Sequence, residues 1–382
     1  MSALKVVFCT DGIAPHQIGG MQKHSRLLIE ALSSFDVNLF VIHPHKGVKV
    51  FDETLKIQEF AIEGIDKKKN YLKESKAYSK RVYTVLKKLP DDTIIYNQGF
   101  AVWYGLKEFS NRVITNPHGL EPFQAISRND RITSIPFQYI FKKIFKKSRL
   151  TVSLGGQLTT ILLKILPSNK ITILPNAVAE KGEFVFKPRP EKKENIDLFF
   201  LARFATNKGI HILMKAIEEL NNEGYKNKLS FKLGGKGPLY EKYKNESLPE
   251  NVKLLGFVSD EELDIIYQNS DVFVFPTLFE GMPTVVLEAM SNYLPVIVSD
   301  TGATCELVDN ENGFVIKPDS VESLKKAIKK YYLLSADEKN RMSYNSFNKC
   351  MTNFTWNRVA QKHLDVFKAL NNGLAIKSDS LN

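Results

Sequence analysis

Short apolar runs recur along the first half of the chain: LKVVFC at 4–9, VNLFVIH at 37–43, TIIYN at 93–97, RVIT at 112–115 and LTVS at 150–153. Stretches with helical spacing separate several of them, such as HSRLLIEALSSF at 24–35. Strands that are apolar on both faces and alternate with helices predict a buried parallel sheet. A polar stretch, FKPRPEKKENI at 186–196, interrupts the pattern, which then restarts. DLFFLA at 197–202, LSFKLGG at 229–235, VKLLGF at 252–257, DVFVFP at 271–276 and PVIVSD at 295–300 read as strands, with a helix over GIHILMKAIEEL at 209–220. The fold class is therefore α/β, with two doubly wound domains expected at 1–178 and 179–354. Such a pair places a ligand cleft outside the carboxyl ends of its strands. The last helical stretch, NFTWNRVAQKHLDVFKALNN at 353–372, follows the second domain, and a helix over 355–375 is expected to pack back on the first. The tail AIKSDSLN is expected to fray.

Composition narrows the function classes. The 382 residues are 43% apolar and 25% charged, as in a soluble globular protein. Lys+Arg 53 against Asp+Glu 42 gives a net charge of +11, which suits an anionic partner such as a membrane surface, a nucleic acid or a phosphorylated substrate, or simply a basic surface. Cys9, Cys305 and Cys350 are far apart and form no CxxC, so neither a disulfide framework nor a zinc site is expected, and a reducing cytoplasm fits. No apolar run approaches the roughly 18 residues of a membrane span, so any membrane contact is expected to be peripheral.

Candidate chemistry clusters where strands meet helices. Gly19 and Gly20 precede a helix start, where backbone can approach a phosphate closely or simply make a turn. His118 follows a strand in TNPHGLEPF, placed to hydrogen-bond a substrate, to donate a proton near neutral pH, or to cap its own loop. Arg203 ends a strand and Lys208 stands just before a helix, a pair of cations suited to a diphosphate. FEGMPTVVLEAM at 279–290 sets Glu280 before a kink and Glu288 beyond it. Gly281, Met282, Pro283 and Thr284 are expected to open the helix, and a carboxylate at Glu288 suits vicinal hydroxyls such as those of ribose.

The ordered set IGGMQKH, NPHGLEP, ILPNAV, LARFATNKG, LGGKGP, LLGFV, the Glu280-to-Glu288 stretch and LPVIVSDTGATCELVDNENGFVI resembles the retaining nucleotide-sugar-dependent glycosyltransferases of the GT-B fold, in particular glycosyltransferase family 4. The resemblance runs over nearly the whole chain. It implies that Arg203 and Lys208 bind the donor diphosphate and that Glu288 binds the ribose. Glu280 and the amides of residues 281–284 would hold the donor sugar. Gly19 and Gly20 would line the phosphates, His118 would contact the sugar, and Phe257 would lie near the base. His118, Glu280, Arg203 and Lys208 form the implied catalytic group. Ala177, Tyr293 and Ala303 stand where the family more usually has glycine, which bears on loop shape. No Asp-x-Asp metal motif is present, so metal independence is expected, with a UDP- or GDP-sugar as substrate and no other cofactor.

The acceptor side falls to the first domain. Residues 66–88 hold nine Lys/Arg and two acidic residues, and 135–149 hold five Lys/Arg with no acid. In the second segment Phe137, Tyr139, Ile140, Phe141, Ile144 and Phe145 are expected to form an apolar stripe. A basic helix with aromatics reads as a membrane-surface element or as a core helix with a solvated face. The expected partners are a glycan or lipid-linked acceptor and an anionic membrane at the inner face, with no nucleic acid. The expected setting is cell-surface polysaccharide or lipopolysaccharide synthesis. The rival readings are a GT-B sugar-nucleotide epimerase acting on a soluble substrate and a basic membrane- or RNA-binding adaptor with an inactive cleft.

Overall fold

The computed structural model describes residues 3–66, 68–124, 128–182 and 195–374; the polar stretch at 186–196, as far as residue 194, and the tail at 375–382 lie outside the described residues. The chain divides into two compact units, Met1–Ala177 with Trp356–Asn382, and Val178–Thr355.

The first unit is built on seven parallel strands: β1 (Leu4–Cys9), β2 (Val37–His43), β3 (Ile57–Ala61), β4 (Ile94–Gln98), β5 (Val113–Asn116), β6 (Leu150–Ser153) and β7 (Ile171–Ile173), in the order β3-β2-β1-β4-β5-β6-β7. Helices α1 (Gly20–Leu32), α2 (Tyr71–Leu86), α3 (Arg128–Lys147) and α4 (Gly156–Leu163) supply crossovers. Because β1 pairs with β2 on one side and β4 on the other, with Val6 beside both Leu39 and Ile94, the order reverses at β1. That reversal splays the loops and opens a crevice at the carboxyl ends of the strands.

The second unit repeats the scheme with six strands: β8 (Ile196–Leu201), β9 (Leu229–Gly234), β10 (Val252–Gly256), β11 (Val272–Phe275), β12 (Val296–Ser299) and β13 (Gly313–Ile316), in the order β10-β9-β8-β11-β12-β13. Its helices are α5 (Ile210–Leu220), α6 (Tyr240–Asn245), α7 (Asp260–Gln268), α8 (Thr284–Met290), α9 (Thr304–Leu307), α10 (Val321–Leu333) and α11 (Ala336–Asn353). Two helix starts are fixed by Ser-x-x-Glu capping boxes, Ser259 with Glu262 on α7 and Ser335 with Glu338 on α11. Here the order reverses at β8, which lies between β9 and β11.

Helix α12 (Trp356–Asn371) belongs to the first unit. Val359, Ala360, His363, Leu364, Val366 and Phe367 form its buried face. Phe367 packs edge-on against Phe8 of β1 and Tyr96 of β4, at 6.4 and 5.8 Å between ring centroids.

Two glycine replacements find different solutions. Tyr293 adopts a left-handed conformation, φ +60°, and its ring stacks on Phe347 at 4.0 Å with an 8° interplanar angle. The strain of a side chain at positive φ is offset by that contact. Ala303 has φ −109°, which needs no glycine.

Of the apolar stripe expected on α3, four of the six residues face the core. Ile140, Phe141, Ile144 and Phe145 are buried in the core and leave no apolar face there for a membrane. A 3.6-residue repeat turns those four to one side, where Phe141 stacks on Phe145 and packs against Phe100. Ile132, Ile135 and Tyr139 instead hold the exposed side.

Candidate functional site

The second unit gathers most of the charged residues singled out in the sequence. Arg203 and Lys208 lie in the turn between β8 and α5, while Glu280 lies in the loop between β11 and α8. Since β8 and β11 are neighbours, these loops emerge side by side, and backbone contacts join them. The Leu278 amide donates to the Asn207 carbonyl at 2.9 Å, and the Thr277 hydroxyl donates to the same carbonyl at 3.0 Å. Gly209 makes the approach possible: it has φ +73°, and a Cβ there would fall 1.8 Å from the Pro276 carbonyl oxygen. Gly302 does the same for the Gly-Met-Pro loop, with φ +57° and no room for a Cβ beside the Glu280 and Gly281 carbonyls. The Ala303 amide then donates to the Gly281 carbonyl at 2.8 Å.

Within this frame Lys208 Nζ donates to Glu280 Oε1, in an ion pair with side chains 25% and 13% exposed. The Thr277 hydroxyl is 3.3 Å from the same carboxylate oxygen. Lys208 also lies over the Phe275 ring, 5.9 Å from its centroid. Arg203 is exposed, and no ion-pair or hydrogen-bond partner is found for it among the described residues. Thus Lys208 and Glu280, assigned to different parts of a donor by resemblance, are partners of each other in this state. Gly281, Met282 and Pro283 precede α8, which begins at Thr284. Met282 buries its side chain in the core, so only its backbone is available to a ligand.

Glu288, on α8, is partly exposed. Its charge reaches Tyr267 of α7, whose phenol is pushed well up, chiefly by burial and then by Glu288. Phe257, just beyond β10, is 75% exposed, an uncovered ring at the carboxyl edge of the sheet.

Sequence reasoning missed three side chains here. Thr277 fixes the loop, Tyr267 accompanies Glu288, and Lys236 adds an exposed cation after β9. The Lys236 carbonyl accepts from the Phe204 amide at 3.1 Å, which ties its loop to Arg203's neighbour. The signal for Lys236 was the lysine inside LGGKGP, which the sequence analysis quotes without giving that lysine a role.

In the first unit Gly19 is extended and directly precedes α1, and Gly20 is its first residue. A Cβ on Gly19 would meet Gln22 Oε1 at 2.1 Å, whereas one on Gly20 would meet nothing. His118 follows β5 with φ +59°, its amide donating to Asn116 Oδ1 at 2.8 Å. The residue as a whole is partly exposed, yet its Nε2 is buried without a hydrogen-bond partner. Burial, and then His363, pushes its pKa down to about 3. At neutral pH the ring is therefore uncharged in this state, which favours a hydrogen-bonding role over that of proton donor.

His24 packs edge-on against His118 at 4.8 Å and against Trp356 at 5.3 Å, and burial pushes it well down too. His363 completes the group, with Nε2 3.1 Å from the Tyr96 hydroxyl and Nδ1 2.8 Å from the Val359 carbonyl. Among the described residues no group of three or more His, Cys, Asp or Glu side chains is arranged to hold a metal ion, and no helix is long and apolar enough to cross a membrane.

Comparison with known proteins bears on the family and the fold. Residues 182–349 match the family described as Glycosyl transferases group 1. The UDP-Gal:alpha-D-GlcNAc-diphosphoundecaprenol alpha-1,3-galactosyltransferase of Escherichia coli is 29% identical over 214 residues, covering 52% of this chain and 54% of that protein. The chain spans about half the length of the curated relatives it matches. Among solved structures, sucrose-phosphate synthase from Thermosynechococcus elongatus has a TM-score of 0.76 at 17% identity, covering 97% of this chain and 100% of that one. WaaG, a glycosyltransferase involved in lipopolysaccharide biosynthesis, has a TM-score of 0.70 at 16% identity, covering 95% and 99%. Residues 182–349 thus resemble the glycosyl transferases group 1 family, and the two sheets have the GT-B fold.

Proposed function

We propose that the chain is a retaining glycosyltransferase that moves a hexosyl group from a UDP- or GDP-sugar to a glycan or lipid-linked acceptor, in cell-surface polysaccharide or lipopolysaccharide synthesis, without a metal ion. The observation that carries this reading is the junction of β8 and β11, where an exposed Arg203 and the Lys208–Glu280 pair stand on interlocked loops. A leaving diphosphate carries charge that a metal often neutralises; two cations and the amides ahead of α5 supply the same stabilisation. Glu288 takes the ribose hydroxyls, and Phe257 offers its ring to the base. Glu280 holds the sugar as the anomeric bond to phosphate lengthens, and the departing phosphate takes the acceptor proton. The same reading gives His118 a hydrogen bond to the sugar and Gly19 and Gly20 a place beside the phosphates. The relative named for a UDP-Gal donor and a diphosphoundecaprenol acceptor supports the donor and acceptor classes.

Calorimetric titration with UDP and GDP tests the reading. Arg203→Ala and Lys208→Ala each weaken binding by about tenfold or more, the worth of a charge-assisted contact. Wild-type affinity in both variants removes the diphosphate assignment.

A membrane-facing role rests on the exposed side of α3. Ile132, Ile135 and Tyr139 are each nearly 60% exposed, at helical spacing, and Lys143 lies over the Tyr139 ring at 4.4 Å. Lys142, Lys146 and Lys147 are exposed on the same helix. Apolar and aromatic side chains beside lysines suit an anionic lipid interface. In flotation, liposomes with anionic lipid recover the chain and neutral ones do not; equal recovery in both discards this role.

A further inference from the structure

Glu288 is held from behind by a residue that lies on neither of the helices around it. Its backbone carbonyl, near the end of the short α8, accepts from the Ser291 hydroxyl and from Asn292 Nδ2, each at 2.8 Å. Asn292 Oδ1 in turn accepts from Lys181 Nζ at 2.7 Å. The same ammonium donates to Asp264 Oδ1 at 2.9 Å. Asp264 is on α7, one turn before Tyr267. Tyr267 is buried, with its ring edge-on to Phe199 at 5.2 Å, and its phenol is pushed up by burial first, then by Glu288 and then by Asp264.

Lys181 therefore closes a circuit. One arm runs through Asn292 to the backbone of Glu288. The other runs through Asp264 and α7 to the phenol on which the Glu288 side chain acts. The lysine stands in the segment that opens the second unit, and its chain neighbours fix that segment. The Val178 amide donates to the Phe354 carbonyl at 2.8 Å, and the Thr355 hydroxyl lies 3.4 Å from Glu180 Oε1. The cation is thus presented from a backbone tied down independently of α7 and α8.

Magnitudes decide what the circuit is for. The Lys181 and Asp264 side chains are 25% and 59% exposed, and an ion pair so open adds little to stability. A carboxylate that must meet two vicinal hydroxyls at once is far more sensitive, because a displacement of about 1 Å breaks the match. We infer that Lys181 is a positioning residue for the ribose end of the donor: it fixes α7 against α8 and so holds the Glu288 carboxylate where the 2′- and 3′-hydroxyls donate to it. The inference rests on the reading that Glu288 takes the ribose, and adds to it a residue that need not touch the donor.

Calorimetric titration of the full chain tests it, with UDP and GDP each set against the 2′,3′-dideoxy form and with inorganic pyrophosphate as a third ligand. Wild type binds the ribonucleotide more tightly than the dideoxynucleotide. Lys181→Met keeps the stem and removes the ammonium. Ribonucleotide affinity then falls about fivefold, the size of coupling expected between residues of one network. Dideoxynucleotide and pyrophosphate affinities stay at the wild-type level, which also shows that the variant folds. Lys181→Arg restores most of the loss, since a guanidinium can donate to the same two oxygens. In a Glu288→Gln background Lys181→Met costs nothing further, because the carboxylate it positions is gone. Equal losses for all three ligands would make Lys181 a general support of the fold and overturn the inference. Unchanged ribonucleotide affinity in Lys181→Met, where Glu288→Gln lowers it, overturns the inference and leaves the ribose reading intact. A wild type that binds ribo- and dideoxynucleotides alike would remove the ribose reading of Glu288, and the inference with it.

Discussion

The two units share a layout and differ in where they keep their ionisable groups. Both are parallel sheets whose order reverses beside the first strand, at β1 and at β8. The first unit holds six of the seven histidines, and it buries His24, His43 and His363 among aromatic rings and hydrogen bonds. The second keeps its charges in pairs, as at Lys208 with Glu280 and at Lys325 with Glu219 and Glu223. Both units carry ion pairs, such as Lys5 with Asp92 and Arg26 with Glu30 in the first, so the difference lies in the first unit's buried, neutral histidines. One sheet design thus presents different side chains at its strand ends, according to what its loops carry.

The largest expected consequence is a separation of the units by pH. Burial holds the pKa of His118 at about 3 and that of His363 at about 4 in the folded state, below the ordinary value near 6.5. Their folded pKa values are depressed, so above the ordinary value neither state is charged and nothing is lost. As pH falls below it the unfolded chain takes up protons that the folded unit does not, and stability drops. At pH 5 the loss is roughly 2 kcal/mol for each of these two, or about 4 kcal/mol together. In the second unit, Lys325 and Lys329 lower the pKa of Glu223, so that contribution is kept above the ordinary carboxylate range and is lost only below it. Both tryptophans, Trp103 and Trp356, lie in the first unit, so tryptophan fluorescence reports on that unit alone. On heating at pH 5 the fluorescence transition precedes the main circular-dichroism transition, and the gap narrows at pH 7. Coincident transitions at both values would break the contrast between the units.

Legibility in the sequence follows the same divide. The strands of the second unit could be read because they are short, apolar and end in glycine, proline or charge, and Arg203, Lys208 and Glu280 stand at those ends. Thr277 and Tyr267 could not, because their roles arise only when β11 lies beside β8 and α7 beside α8. Strand β3 escaped notice since IQEFA, at the sheet edge, is partly exposed and lacks an apolar run. A cavity of the first unit, lined in part by Asp11, His45 and Tyr71, was hidden for a related reason. Asp11 and His45 lie in two separate loops and Tyr71 opens α2, and no local spacing links them until β1, β2 and β3 align. On α3 the periodicity was visible but its direction was not, because a stripe of aromatics looks the same facing a core or a bilayer. What the sequence showed was chemistry carried by neighbours along the chain; what it withheld was chemistry assembled across the sheet.

A smaller effect sharpens the contrast at the charged site itself. Lys208 donates to Glu280 in the unliganded unit, so a diphosphate must compete for that cation. Both side chains are largely covered by protein but not sealed from water, and the pair is taken to contribute about 1 kcal/mol. Glu280→Gln removes the competing charge with little change in shape. UDP and GDP then bind roughly threefold more tightly, while sugar transfer from the intact donor falls because the carboxylate no longer holds the sugar. The gain in nucleotide affinity shrinks as salt is raised, since an electrostatic competitor is screened on both sides of the comparison. A surface lysine pair such as Lys49 with Glu53 serves as the control, and Glu53→Gln leaves nucleotide affinity unchanged. Nucleotide affinity that falls in Glu280→Gln would show that Glu280 positions Lys208 for the diphosphate instead of competing with it, and the pair would then have to be read as one preorganised unit.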